Sequence, residues 1–420
     1  MGGSKHTSLI LIRGARQVLT LRGPGEPRRG SGLAELNIIH DGSLLVRDGV
    51  LLEVGPTRRI ENLALAQKAV EVSAVGRVVM PGFVDSHTHL LFPPPGSFAT
   101  EIAAGARAIR TITGMRLETR ARIYVEAMAR HGTTTVEVKT GCGPDRSAEM
   151  KILRVLSALK QKPLDVVATF LLRLPPDGLF NQPETAGGVD WVAAEFLPKI
   201  RRRRLAAFAD LVWEEQRGPA AYFAEYLRIA KGLGMRLKLH ADGITPADAI
   251  AAAIESGVTS IDHLEYATTA DAELLGRAGT IATLLPCASF HAECRYAPAR
   301  TIIEAGAPVA LATNFNPHHT PTLNMQAVVN LACLRMGMTA AEAVTAATIN
   351  GAHALGCADK LGSLEPGKLA DLLILNISDY RELAHHFGTN LVHSTMKRGE
   401  FIYEEGPVAP RPARDLRPAW

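Results

Sequence analysis

From residue 78 onward the chain alternates between short apolar runs and longer segments of helical periodicity. The runs are Val78–Val84, Thr133–Val138, Leu164–Leu171, Ala206–Trp213, Arg236–Leu239, Thr259–Ile261, Thr280–Leu285 and Pro308–Ala312. Each has the length of a strand. Most are separated by Ala-rich segments such as Pro246–Ile254 and Ala270–Ala278, whose apolar positions recur at helical spacing. Eight such units between residues 78 and 361 predict an α/β fold, a (β/α)8 TIM barrel. The stretch from Leu90 to Gly132 is long for one connection, so an extra helix or lid is expected beside the first barrel helix.

The flanks carry a different pattern. Ser8–Val18 and Ile38–Val54 hold alternating or short apolar runs, and Asp41-Gly42 and Asp48-Gly49 are hairpin signals. Leu372–Leu375 follows Gly367-Lys-Leu-Ala-Asp371, and Phe401–Tyr403 follows Arg398-Gly399. These late strands are expected to pair with the early ones. The predicted organisation is a small β-sandwich domain built from both termini, residues 1–77 and 362–420, beside a metal-binding barrel domain at 78–361. Thr322–Met336 and Thr339–Leu355 read as helices, the second opening on the capping-box spacing Thr339-Ala-Ala-Glu342. Gly23–Gly32 reads as a mobile loop, and Pro407–Trp420 as a poorly ordered tail.

Composition narrows the function classes. With 420 residues, 47% hydrophobic and 21% charged, the chain suits a large globular protein. A net charge of +4 is small for this length and gives no case for nucleic acid; the basic run Lys199–Arg204 reads as a solvated helix end. No apolar run reaches the roughly 20 residues that a membrane span needs. Met1–Arg13 lacks the order of a signal peptide. The five cysteines form no CxxC pair, and an odd, dispersed count points to reduced thiols in the cytoplasm.

Chemistry in such a barrel sits at the C-terminal ends of the strands. Strand one ends in Asp85-Ser-His87-Thr-His89, where residues i and i+2 face the same side. Strand two offers Lys139, Thr140 and Cys142, strand three Arg173, and strand four Glu214 and Glu215. Strand five offers His240 and Asp242, and strand six Asp262, His263 and Glu265. Strand eight offers Asn314 and Asn316, with His318 and His319 behind. His291, Glu293, Arg295 and Tyr296 follow strand seven as a candidate polar wall. Three imidazoles, His87, His89 and His240, suit one divalent metal ion, zinc or iron.

Pro81-Gly-Phe-Val-Asp-Ser-His-Thr-His89, Gly132-Thr-Thr-Thr-Val-Glu-Val-Lys139, His240-Ala-Asp242, Asp262-His-Leu-Glu-Tyr266, Phe315-Asn-Pro317, Ala346-Ala-Thr-Ile-Asn350 and Gly362-Ser-Leu-Glu-Pro-Gly-Lys-Leu-Ala-Asp371 resemble the amidohydrolase superfamily over nearly the whole chain. Within it, the chain resembles the imidazolonepropionase family, ring-opening enzymes of histidine degradation. The resemblance implies His87, His89 and His240 as metal ligands and His263 as the histidine behind them. It also implies a fourth ligand at the end of strand eight, an aspartate in the family and Asn314 here. Asn314 can offer an amide oxygen but cannot accept a proton near neutral pH.

The family's substrate-holding positions differ here as well. Its arginine after the paired histidines gives way to Pro93-Pro-Pro-Gly96. Its tyrosine becomes Cys142, its histidine after strand three falls at Leu174 beside Arg173, and its glutamine or glutamate after His-Ala-Asp becomes Gly243. Its glycine after Asn-Pro becomes His318, while Asn316 is retained. The residues expected around the substrate are Cys142, Arg173, Asn316, His318 and His319. Some superfamily members bridge two metals with a carboxylated lysine on strand four; Lys139 lies on strand two, so a single metal is expected.

The expected activity is metal-dependent cleavage of a C–N bond in a cyclic amide or related heterocycle. His263 would steady the oxyanion, and His318 or Asp242 would move protons. Two other readings stay open: a small-ligand-binding homologue impaired in turnover by Asn314, and a deaminase of a heterocyclic amine. The expected partner is a small molecule, with neither nucleic acid nor membrane, and a homodimer is left open.

Overall fold

The computed structural model describes residues 8–92, 108–142, 145–160, 163–172, 192–212, 220–241 and 248–406. Pro93–Gly96, Arg173, Leu174, Glu214, Glu215, Asp242, Gly243 and the tail Pro407–Trp420 lie outside the described residues.

The terminal sheet contains β1 (Leu9–Leu19), β2 (Ile38–Arg47), β3 (Val50–Pro56), β4 (Val70–Ser73) and β5 (Val78–Pro81). The barrel then runs through β6 (Phe83–Asp85), β7 (Thr133–Lys139), β8 (Asp165–Leu172), β9 (Phe208–Leu211), β10 (Arg236–Ala241), β11 (Ser260–His263), β12 (Ile281–Leu284) and β13 (Val309–Leu311). These are the eight barrel strands read from the sequence. The chain ends by returning to the terminal sheet with β14 (Leu372–Leu375), β15 (Val392–Lys397) and β16 (Glu400–Glu404).

The barrel strands pair in sequence order, and each register is parallel. Closure between the first and last strands occurs just above them, where Thr88 bridges Phe315. There His89 N donates to Phe315 O (2.7 Å) and Asn314 N to His87 O (3.1 Å). The seam of the barrel is therefore sealed by the segments that hold His87, His89 and Asn314.

Alternation along these strands sorts the side chains. Val136, Val138, Ala209, Leu211, Leu237, Leu239 and Ile261 join the apolar clusters between barrel and helices. The intervening positions, Glu137, Lys139, Asp210, Lys238, His240, Ser260 and Asp262, are buried and polar, and their bonds cross the lumen. A period of two thus yields a greasy outer wall and an ionised interior.

The run Val78–Val84, read as one strand, is two. β5 pairs with β14 and β1 in the terminal sheet, whereas β6 pairs with β7 in the barrel. Gly82 is the crossing point, because a Cβ there would lie 2.3 Å from Thr134 Cγ2. The terminal sheet runs β16-β15-β14-β5-β1-β2-β3, with β4 beside β1. Its opposite edges meet, since Ala370 N donates to Gly49 O (2.8 Å) and Gly399 N to Ala370 O (3.2 Å). That curling encloses a core of Ile12, Val18, Leu44, Val79, Leu372, Ile374 and Met396.

Asp48-Gly49 makes the expected hairpin, with φ of 50° and 80°. Asp41-Gly42 does not: it sits inside β2, opposite the irregular register of β1 between Ile12 and Ala15. A positive φ at Asp41 accommodates a bulge there rather than a turn. Gly23–Gly32 is also not loose throughout. Arg28 is buried, its backbone N donates to Asn350 Oδ1 (2.8 Å), and its guanidinium donates to Leu21 O (2.9 Å). The segment Thr339–Leu355 opens on both capping-box bonds but divides at Thr348 into helices Ala340–Ala346 and Ile349–Ala354. Lys199–Arg204 ends a short helix, Leu197–Arg202, with 201–204 exposed.

The terminal sheet is clamped to the barrel by ions. Lys397 Nζ donates to Asp371 Oδ2 (2.5 Å) and Asp165 Oδ2 (2.7 Å), and Arg398 reaches both oxygens of Asp165. Lys397→Met strands the buried Asp371 carboxylate. It is expected to lower unfolding free energy by about 3 kcal/mol, read from the urea midpoint.

His353, on Ile349–Ala354, is pushed down to about 4 by burial, with Lys368 and Arg28 adding repulsion. Its proton therefore binds first in the unfolded chain, and stability is lost as pH falls from 6.5 toward 4. His353→Gln is expected to remove up to about 2 kcal/mol of that acid-side loss, after allowance for its partial exposure, with no change above pH 7. Thermal melts of both proteins across this window check it.

Candidate metal centre

The paired histidines stand on the chain as it leaves β6. Thr88 between them faces the other way and donates to Glu137 O (2.6 Å), while Lys139 N donates to Thr88 O (2.9 Å). Below them, Asp85 accepts from Thr313 N (3.0 Å) and Thr313 Oγ1 (2.6 Å), tying the end of β6 to the end of β13. Burial pushes Asp85 up to about 7, although both Thr313 bonds oppose it.

His87, His89 and His240 are buried and converge, with one ligand atom from each within 4.8 Å of the others. His87 Nε2 lies 3.3 Å from His89 Nε2, and the His87 and His240 rings are centred 4.9 Å apart. His87 Nδ1 donates to Asp262 Oδ2 at 2.8 Å. That bond fixes the tautomer and turns the Nε2 lone pair toward the other two imidazoles. Burial and the Lys139 ammonium hold His87 well below its ordinary value, so it is neutral.

Asp262 sits in a buried ionic network. Lys139 Nζ contacts Asp210 Oδ2 (2.6 Å), Asp262 Oδ2 (2.8 Å) and Glu137 Oε2 (3.4 Å). Lys238 Nζ contacts Glu137 Oε2 (2.8 Å) and Ser86 O (3.3 Å). Thr169 Oγ1 donates to the other oxygen of Glu137, and Ser260 Oγ donates to Asp262 Oδ1 (2.7 Å). Burial opposes the Asp262 charge, but Lys139 and Lys238 hold its carboxyl well below the usual range. Burial pushes Asp210 up to about 6 against the pull of Lys139. His87, Glu137 and Asp262 also cluster closely enough to hold a metal. That position is filled by lysine ammoniums.

His263 breaks the alternation of its strand. Regular β11 geometry would send it outward with Ile261, but φ is 82° at His263 and 66° at Leu264. These left-handed conformations are costly for such residues. They bring the His263 ring to 4.5 Å from that of His240 and place Glu265 Oε1 3.1 Å from His263 Nδ1. Asn314 also has a positive φ, 55°, which asparagine and aspartate tolerate. Its Oδ1 is buried and has no hydrogen-bond partner among the described residues.

A cavity of about 490 Å³ opens above this group. His89, His240, His263, Asn314 and Asn316 form its floor side. Glu265, Tyr266, His291, Cys294 and His319 form its wall. Asn316 Oδ1 accepts from His318 N (2.9 Å) and His319 N (3.3 Å) and shapes that turn. His319 lines the cavity, whereas His318 is half-buried and is not in its lining. Cys142 is buried in the apolar cluster around Leu90 and Ile152, away from the lining. Of the wall read after strand seven, His291 is present and donates to or accepts from Thr322 Oγ1 (2.7 Å). Arg295 stacks over the Tyr266 ring at 5.3 Å. The sequence reading missed Glu265 as the partner of His263, although the Asp262-His-Leu-Glu265 spacing was its signal. It also missed the Lys139–Asp210 pair, which only strand register reveals.

Fold and site together define a barrel hydrolase scaffold with a histidine metal cluster, and the amidohydrolase family profile matches residues 78–402. The chain belongs to the amidohydrolase family. It is similar to the imidazolonepropionase of Solibacter usitatus, 38% identical over 92% of this chain and 97% of that protein. That of Parabacteroides distasonis is 37% identical, over 94% and 99%. Among solved structures, a triazine hydrolase variant superposes with a TM-score of 0.76 at 18% identity, covering 94% of this chain and 95% of that one. An adenosine deaminase from Xanthomonas campestris with bound zinc gives 0.70 at 19% identity, over 93% and 92%. At such identities the structures speak for the fold alone.

Proposed function

We propose that the chain is a mononuclear metal-dependent hydrolase that opens the ring of a small cyclic amide of the imidazolone type. The observation that carries this reading is the buried convergence of His87, His89 and His240, with His87 already oriented by Asp262. The likeness to imidazolonepropionases along more than nine-tenths of both chains supports the substrate class. The residues fit one divalent ion, zinc or iron: the imidazoles of His87, His89 and His240 converge, and His89, His240 and Asn314, whose buried amide oxygen has no partner among the described residues, line one cavity. When bound, such an ion polarises the scissile carbonyl and acidifies a water.

The chain's own groups divide the remaining work. His263 is held at Nδ1 by Glu265. That bond fixes the ring beside His240, where His263 would steady oxygen charge developing on the substrate carbonyl. Asn314 accepts no proton near pH 7, so proton transfer falls to Asp242 or His318. Asn316 sets the turn that brings His319 to the substrate. The free thiols of all five cysteines fit a reducing cytoplasm.

His240→Ala is expected to lose both bound metal and turnover, measured by elemental analysis and by ring opening across an imidazolone and lactam panel. Full activity in a metal-free His240→Ala protein would sink the proposal.

A second reading, a ligand-binding homologue with little turnover, is favoured by one observation: the residue at the fourth position is an amide. Asn314→Asp separates the two. Aspartate tolerates the same left-handed backbone, so the fold is expected to persist while turnover rises by about 10²-fold as a proton acceptor is restored. Substantial wild-type activity with no gain in Asn314→Asp would instead show that the acceptor lies elsewhere in the pocket.

A further inference from the structure

Lys139 is fully buried and has no place in the chemistry above. Its ammonium reaches Asp210, Asp262 and Glu137 from one point. The Asp262 oxygen it touches, Oδ2, is the same atom that accepts the His87 Nδ1 proton. Its backbone N holds Thr88, the residue between the paired histidines. We propose that Lys139 is the positioning residue of the metal centre: it fixes Asp262 Oδ2 and, through it, the ring of His87. This rests on the metal reading given above.

Two features separate this role from simple charge balance. The Asp262 carboxylate is held on both oxygens, by Ser260 Oγ on Oδ1 and by Lys139 and His87 on Oδ2, so its plane cannot turn while Lys139 is present. Lys139 is in turn anchored on Asp210, whose Oδ1 is pinned by Leu211 N at 2.8 Å. A rigid chain thus runs from the β9 backbone to His87. The same geometry argues against a carboxylated lysine at this position. Carboxylation consumes a neutral amine and leaves an anion, whereas three carboxylates surround this nitrogen and favour the cation. Partners one step removed from a metal commonly change its affinity 10–100-fold when removed.

The full-length protein, stripped with a chelator and reloaded with Zn2+ alone, provides the test. Zn2+ affinity is read by competition with a chromophoric chelator, the ligand field by the visible spectrum after Co2+ loading, and the fold by thermal melting of the apoprotein. Lys139→Met is expected to bind Zn2+ 10–100-fold more weakly and to alter the Co2+ spectrum. The double variant Lys139→Met/Asp210→Asn removes one charge of each sign and leaves Asp262 intact. It is expected to melt closer to wild type and to keep the loss of affinity. A merely structural lysine would lower the melting temperature without moving the Zn2+ affinity of the folded protein. Wild-type Zn2+ affinity in either folded variant overturns the proposal, as does failure of both to fold, which would make Lys139 a folding residue. A wild-type protein that takes up no Zn2+ overturns the metal reading, and this inference with it.

Discussion

The barrel is organised around charges that water does not reach. Lys139 and Lys238 share Glu137, and Lys139 also holds Asp210 and Asp262, all with fully buried side chains. Each ion taken from water costs several kcal/mol, and only close, multiple partners offset that cost. The network meets this condition by crossing four strands, β7, β9, β10 and β11. Glu137 and Lys139 are two residues apart, as are Lys238 and His240. The alternation that turns a lysine or glutamate into the lumen at one level therefore turns a site residue in at the next. The ion network is the floor on which the imidazoles stand.

That arrangement explains what was legible in the sequence. Strand alternation and strand-end position are local, so the eight barrel strands and the convergence of His87, His89 and His240 could be read from single segments. What escaped depends on relations between segments. Nothing within Val78–Val84 says that Gly82 divides it; the division is set by Thr134 pressing on one side and by β14 pairing with β5. Asp41-Gly42 has hairpin chemistry, but β2 continues to pair with β1 on both sides of it. Lys139 and Asp210 are 71 positions apart and meet only because Lys139 pairs with Thr169, whose strand then pairs with β9. The resemblance singled out His263, but its direction is decided by a backbone turn that composition does not announce.

The floor and the walls of the pocket obey different constraints. Replacing one lumen charge strands its partners, so those residues change together or not at all. Much of the wall comes from segments beyond β12 and β13, where His291 bonds Thr322 Oγ1 and the backbone N of His319 bonds Asn316 Oδ1. Such positions change without cost to the core. A common metal floor under a private wall is the expected outcome, and neither Cys142 nor His318 belongs to the lumen ion pairs.

Asn314 sits between these regimes. Its left-handed backbone suits asparagine and aspartate alike, so the fold does not choose between them. Electrostatics does. With aspartate, a divalent ion in the proposed site would meet a full negative charge from β13. With asparagine, the proposed ligands would be three imidazoles and an amide dipole, and the Asp262 carboxylate would act on the ion through His87. The burden of holding the ion then shifts from the eighth strand to the sixth, and from a ligand to the carboxylate behind one. Less neutralised, such an ion would be the stronger Lewis acid, while Asn314 could not take up a proton. Metal contact and proton acceptance, which the resemblance joins in one aspartate, would then be separated in this chain.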